Sequence, residues 1–211
     1  QGPDRASDHA RGVPPVAQLH DMTAPPALGI ALTEQNSGTR AHCNTFRYHV
    51  WWHKALLHLD RGEMDVALGL YDAQLRNEKT DDYRDISNAT SLLVRLELEG
   101  IDVGNRWEEL ADLSAARTED GCLIFADLHY MLALTGDNRA DATAKMLSRM
   151  NKDAARANDD MTRRMADPGV AAAMGLEAFG DGHYATAFDQ RLTAGGSMHR
   201  AGGSDGPREV W

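Results

Sequence analysis

The run Tyr48-His49-Val50-Trp51-Trp52-His53-Lys54-Ala55-Leu56-Leu57-His58 places three histidines and two tryptophans within ten residues. On a helix, His49 and His53 stand one turn apart on one face. That spacing lets two neutral imidazoles share a divalent metal ion or a polar ligand. A metal needs a third and usually a fourth donor. His129 with nearby Asp127, or His20 beside Asp21, are the candidates to supply it. No HExxH-like arrangement adds a general base. Three readings follow. One is a divalent-metal site on His49, His53 and His129. A second is a metal-free polar pocket lined by His20, His49, His53 and His129. In the third, the histidines are structural and hydrogen-bonded inside helix-helix seams.

Other residues carry weaker signals. Trp51 and Trp52 point about 100° apart on a helix, so core packing is the first expectation and Trp52 can also face a ligand groove. His58 sits near a helix end and is expected to pack beside Tyr71 or cap that end. Asp85, Arg95 and Glu97 suggest a buried arginine–carboxylate pair joining two helices, with ligand anchoring by Arg95 as the alternative. Gly202-Gly203-Ser204 reads as a turn, because a phosphate loop would need a lysine and a strand–helix frame. Cys43 and Cys122 show no ligand spacing and are expected as free, buried or half-buried thiols in a reducing cytoplasm. The candidate ligand-binding set is therefore His20, His49, Trp52, His53, Arg95 and His129.

The elements that must position these groups are helices. Residues 1–15 form a polar arm, whose Gln1-Gly2-Pro3 matches the scar of a common protease-cleavage tag. Short helices are predicted at 15–22 and 27–34, separated by Pro25-Pro26. From Phe46 to Leu59 the helical pattern is strong, Arg61-Gly62 turns, and Met64 to Leu75 is the partner helix. Asn77 to Arg84 is a charged loop, and Ser87 or Asn88 caps a helix from Ala89 to Leu98 that Gly100 ends. A helix at Asn105–Ala116 follows, then a pair at Gly121–Thr135 and Arg139–Met150 hinged at Gly136-Asp137. The run from Asn151 to Asp167 is helical by propensity but has little apolar face, as expected of a mobile segment. After Pro168-Gly169, a last pair spans Val170–Gly180 and Tyr184–Thr193. No strand alternation is present, so the fold class is all-α, with 16–211 as one helical-repeat domain.

Composition narrows the function classes. The chain has 211 residues, 42% of them hydrophobic and 26% charged, with a net charge of −10 and no cationic cluster beyond Arg163-Arg164. Nucleic acid and membrane surfaces, which are bound through clustered Lys and Arg, are therefore not expected partners. No apolar run approaches the ~18 residues of a membrane span, and the polar amino terminus has no signal-peptide pattern. The expected compartment is cytoplasmic.

Gly62-Glu63-Met64-Asp65-Val66-Ala67 and Gly182-His183-Tyr184-Ala185-Thr186-Ala187 share a glycine, then a large apolar residue, then an alanine. Gly136-Asp137-Asn138-Arg139-Ala140 is a weaker version. Glycine supplies the tight turn, the large residue plugs the wedge between helices, and alanine admits close approach. Gly175 and Ala178 supply the small residues the facing helix needs. This is the pattern of a tetratricopeptide-type hairpin, although the hinges are spaced unevenly against its usual period of about 34 residues.

Within that frame, His49-x-x-Trp52-His53-Lys54-Ala55-Leu56-Leu57-His58-Leu59-Asp60-Arg61-Gly62, followed by Ala67-Leu68-Gly69-Leu70-Tyr71-Asp72, resembles the tetratricopeptide-repeat protein 38 family. Ser91-Leu92-Leu93-Val94-Arg95-Leu96-Glu97-Leu98-Glu99-Gly100-Ile101-Asp102-Val103-Gly104-Asn105-Arg106-Trp107 is the most distinctive further match. Asp127-Leu128-His129-Tyr130-Met131-Leu132-Ala133, His199-Arg200-Ala201-Gly202-Gly203-Ser204 and Val16-Ala17-Gln18-Leu19-His20-Asp21-Met22 also match. The resemblance implies a short, irregular α-solenoid of stacked hairpins. Because family members are longer, it also implies that an amino-terminal half is missing. Asp205 stands where the family tends to carry histidine, Pro207 interrupts an expected helix, and Pro25-Pro26 is unusual there.

The resemblance implies no particular reaction. The leading expectation is a helical-repeat binding or scaffold protein whose concave groove holds a peptide, a partner chain or a small ligand, with no cofactor. The alternative is an enzyme or enzyme subunit with a histidine-lined active site, using a divalent metal ion if His49, His53 and His129 converge. A third is a structural subunit whose apolar seam is covered by a chain supplying the missing half.

Overall fold

The computed structural model describes residues 47–202. Among them all regular structure is helical, and no helix is long and apolar enough to cross a membrane. The arm at 1–15, the helices expected at 15–22 and 27–34, His20, Asp21, Cys43 and Ser204 lie outside the described residues. The chain divides into two compact units. The first runs to Leu92 and takes in Glu99–Ile101; the second comprises Leu93–Leu98 and the chain from Asp102.

In the first unit, α1 (Arg47–Leu59) packs on α2 (Met64–Leu70) and on a π-helical turn (Tyr71–Leu75). Tyr48, Trp52 and Ala55 recur at helical spacing on α1 and are buried, and Ala67 of α2 is fully enclosed. The predicted partner helix from Met64 to Leu75 is thus interrupted. Its end widens so that Arg76 N–H donates to the Tyr71 carbonyl at 2.9 Å.

Helix α3 (Tyr83–Leu98) begins earlier than the capping pattern at Ser87 or Asn88 predicts. Asp82 caps it instead, accepting from Arg84 N–H at 2.9 Å. The Ser87 hydroxyl donates to the Tyr83 carbonyl at 2.7 Å, one turn back, so a residue favoured at caps is absorbed in the helix interior.

The second unit contains α4 (Arg106–Ala115), α5 (Ile124–Gly136), α6 (Ala140–Arg156), α7 (Asp160–Arg164), α8 (Val170–Gly180) and α9 (Tyr184–Gly195). A π-helical turn (Met165–Gly169) precedes α8, and a 3-10 turn (Met198–Ala201) follows α9. Every residue from Ile124 to Leu134 is buried, which makes α5 the central helix, in contact with α4, α6 and α8. Within 151–167, helical by propensity, two local devices build the helices. Helix α6 runs on to Arg156, and an Asp159–Thr162 capping box then starts α7.

The hairpin hinges share one hydrogen-bond pattern. Gly62 and Gly182 adopt φ of 72° and 75°. Gly62 N–H donates to the Leu59 carbonyl and Glu63 N–H to that of His58; Gly182 and His183 repeat this with Phe179 and Ala178. The third hinge is not at Gly136-Asp137 as the sequence suggests. Asn138 takes the left-handed position, with φ of 54°, and Arg139 N–H reaches the Leu134 carbonyl at 2.8 Å. The residues that follow, Glu63, Arg139 and His183, share almost the same backbone angles. Asparagine tolerates that conformation, which frees Gly136 for packing inside α5.

The predicted buried ion pair exists with other partners. Arg149 of α6 meets Asp127 of α5 at 2.8 Å, both nearly excluded from solvent. Its Nε–H also donates to the Thr118 carbonyl at 3.1 Å, tying the α4–α5 loop to both helices. Of the residues first suggested, Asp85 accepts from the Thr80 hydroxyl at 2.6 Å, Glu97 accepts from Trp107, and Arg95 is half-buried on α3.

Candidate functional site

The histidine pair belongs to the first unit. His53 Nε2 lies 3.2 Å from His49 Nε2, and His49 Nδ1 lies 3.1 Å from Asn88 Oδ1 of α3. With the Asn88 oxygen as acceptor, His49 carries its proton on Nδ1 and its Nε2 lone pair accepts from His53 Nε2–H. The His49 ring stacks on Trp52 with centroids 5.4 Å apart, and His53 meets Trp52 edge-on at 4.9 Å. His53 and Trp52 are buried, so packing and mutual hydrogen bonds account for most of this cluster. Trp51 is half-buried with the Lys54 ammonium 5.5 Å from its ring. His58 bonds Glu63, the residue that precedes α2, at 2.6 Å and so braces the Gly62 hinge.

His129 and Arg95 belong to the second unit. His129 Nδ1–H donates to the Phe125 carbonyl at 2.7 Å, and the ring is wholly enclosed. Burial lowers its pKa to about 3 against the backbone bond, and the charge of Arg95 adds to the lowering. It is therefore a neutral, core-held imidazole. Among the described residues no three His, Cys, Asp or Glu side chains are grouped to hold a metal ion. Cys122 is an exposed thiol, not the buried or half-buried one expected.

The second unit holds an apolar groove of about 650 Å³, and none of His49, Trp52, His53, Arg95 or His129, the described candidates from the sequence, is in its lining. Val94 and Leu98 of α3, Leu132 of α5, Leu176 of α8 and Phe188 of α9 line it. That volume falls in the range of ligand-binding clefts, and an apolar lining with few polar groups is their usual composition. Tyr184, Phe188 and Leu192 stand at successive turns of α9 and are 65%, 57% and 63% exposed; Leu98 is 62% exposed. Tyr184 does not plug the wedge of its hinge as predicted. It turns outward and meets Phe179 edge-on, with centroids 5.5 Å apart, at the groove lining. Only Ala194 of α9 is buried, so an apolar stripe that resembles a core stripe in sequence here faces solvent.

Small residues shape the groove. Gly175 of α8 lies against Gln190 and the Ala187 carbonyl of α9, the close approach its sequence position predicted. Gly136 and Gly180 admit Trp107 and Thr135 respectively at distances too short for a side chain. Trp107 is buried and directs its Nε1–H to Glu97 Oε1 at 2.9 Å. Glu97 and Arg191 are the charged side chains of the lining. No protein-family description matches the chain, and no solved structure matches it.

Proposed function

We propose that this chain is a divergent helical-repeat binding protein, similar to the tetratricopeptide-repeat protein 38 family, that holds an apolar segment of a partner chain in the groove of its second unit. The observation that carries this reading is the groove itself, bordered by exposed Leu98, Tyr184 and Phe188. Large apolar side chains exposed together around a cleft mark an interaction site. The repeated hinge at Gly62, Asn138 and Gly182 supports stacked tetratricopeptide-type hairpins. The test is saturable binding of an anilinonaphthalene sulfonate dye to the intact chain. Phe188→Asp, at an exposed position, leaves the fold intact and is expected to weaken that binding strongly; unchanged binding would count against the groove.

A second reading rests on the Asn88–His49–His53 chain of hydrogen bonds, which could serve as a proton relay in a histidine-lined site, with or without a divalent metal ion. Metal analysis of the purified protein beside His49→Ala and His53→Ala tests it. No metal, and unchanged ligand binding in both variants, would remove it.

A further inference from the structure

The wall of the groove holds a carboxylate, Glu97, with no ion-pair partner among the described residues. It lies on the last turn of α3, and its hydrogen bond is the one from Trp107 Nε1–H at 2.9 Å. Trp107 is fixed in turn, because its indole lies against Gly136, where a Cβ would come within 2.6 Å of the ring. A rigid, buried donor therefore aims one carboxylate oxygen, while the side chain as a whole stays exposed. A surface glutamate held this way has already lost rotamer freedom, so a ligand cation that meets it spends less entropy on ordering.

We infer that Glu97 is the specificity determinant of the groove and selects a partner segment, helical in conformation, in which a Lys or Arg side chain stands beside the apolar anchors. The inference rests on the groove being the binding site. Charge complementarity supports it: Glu97 is the acidic member of the lining, and the chain carries a net charge of −10. An amphipathic helix is the form of segment that lays apolar anchors along an apolar groove with a charged flank beside them.

The experiment uses three fluorescein-labelled model helices with the same leucine stripe and a Lys, Gln or Glu at one flanking position. Fluorescence anisotropy is read with the native chain, with Glu97→Gln, which keeps an acceptor for Trp107, and with Phe188→Asp. The native chain is expected to bind the Lys helix about five-fold more tightly than the Glu helix, the order expected of one partly exposed ion pair. Glu97→Gln should bind all three within about two-fold of one another, and Phe188→Asp should lose all three. Equal binding of the three helices by the native chain overturns the role of Glu97 and leaves the groove standing. Selectivity that persists in Glu97→Gln also overturns it, assigning the preference to overall charge. No binding of any helix by the native chain overturns both.

Discussion

Gly136 lies flat against the Trp107 indole: a Cβ at Gly136 would fall 2.6 Å from Trp107 Cδ2. The contact sets how closely α4 approaches α5 and holds Trp107 where its Nε1–H meets Glu97. Gly136→Ala is therefore expected to destabilise the chain by about 1–3 kcal/mol, the usual cost of overpacking. Gly69, exposed on α2 with nothing within 4 Å of its virtual Cβ, is the control. Gly69→Ala is expected to stabilise by roughly 0.5–1 kcal/mol through helix propensity. Urea unfolding followed by tryptophan emission measures both.

The hinges predict opposite signs at equivalent positions. Asn138 holds a left-handed φ of 54° that glycine adopts freely, so Asn138→Gly is expected to be neutral or slightly stabilising. Gly182→Ala forces alanine into φ of 75° and should cost about 1–2 kcal/mol. Thermal unfolding of the two variants distinguishes a conformational hinge from a packing contact, because no atom lies within 4 Å of a Cβ at Gly182.

The Asp127–Arg149 pair is a buried ion pair with a further bond to the Thr118 carbonyl. Removing one partner strands the other charge, so Asp127→Ala is expected to cost about 3–5 kcal/mol. The double change Asp127→Leu with Arg149→Met should cost less than the single change. A denaturant series on the single and double variants reads the difference.

His129 gives the fold a pH dependence with a definite sign. The enclosed ring titrates at about 3 in the fold and at its ordinary 6.5 once unfolded. Between those values the unfolded chain binds a proton that the native chain does not. Stability is therefore fully present above the ordinary value and declines as pH falls below it, by at most about 1.4 kcal/mol per pH unit. His129→Asn, which keeps a donor for the Phe125 carbonyl, is less stable at neutral pH but should show a flatter acid limb. An unchanged slope between the native chain and the variant would contradict this assignment.

Much of the architecture was legible from residue pattern. The α8–α9 hairpin and the Gly62 and Gly182 hinges lie where periodicity and glycine place them, because those signals are local. Asn138 was missed because Gly136 stands two residues earlier and glycine is the commoner hinge residue; its actual role, admitting Trp107, depends on a residue of another helix. Ser87 misled because a hydroxyl suited to a cap can equally bond the carbonyl one turn back. The histidine pair was legible as a pair, since its spacing is helical. Its bond to Asn88 was not, because α3 brings that residue from far along the chain. The groove was least legible of all. Tyr184, Phe188 and Leu192 have the spacing of a buried stripe, and nothing local distinguishes a stripe that packs from one that faces solvent.

The central claim is that the groove of the second unit receives an apolar helical segment. Methyl-labelled protein titrated with the leucine-stripe Lys helix tests it most directly. The account predicts saturable shifts at Leu98, Leu132, Leu176 and Met198, which line the groove, and none at Leu57 and Leu75, buried in the first unit. Shifts absent from the groove methyls, or equally large at Leu57 and Leu75, would contradict it.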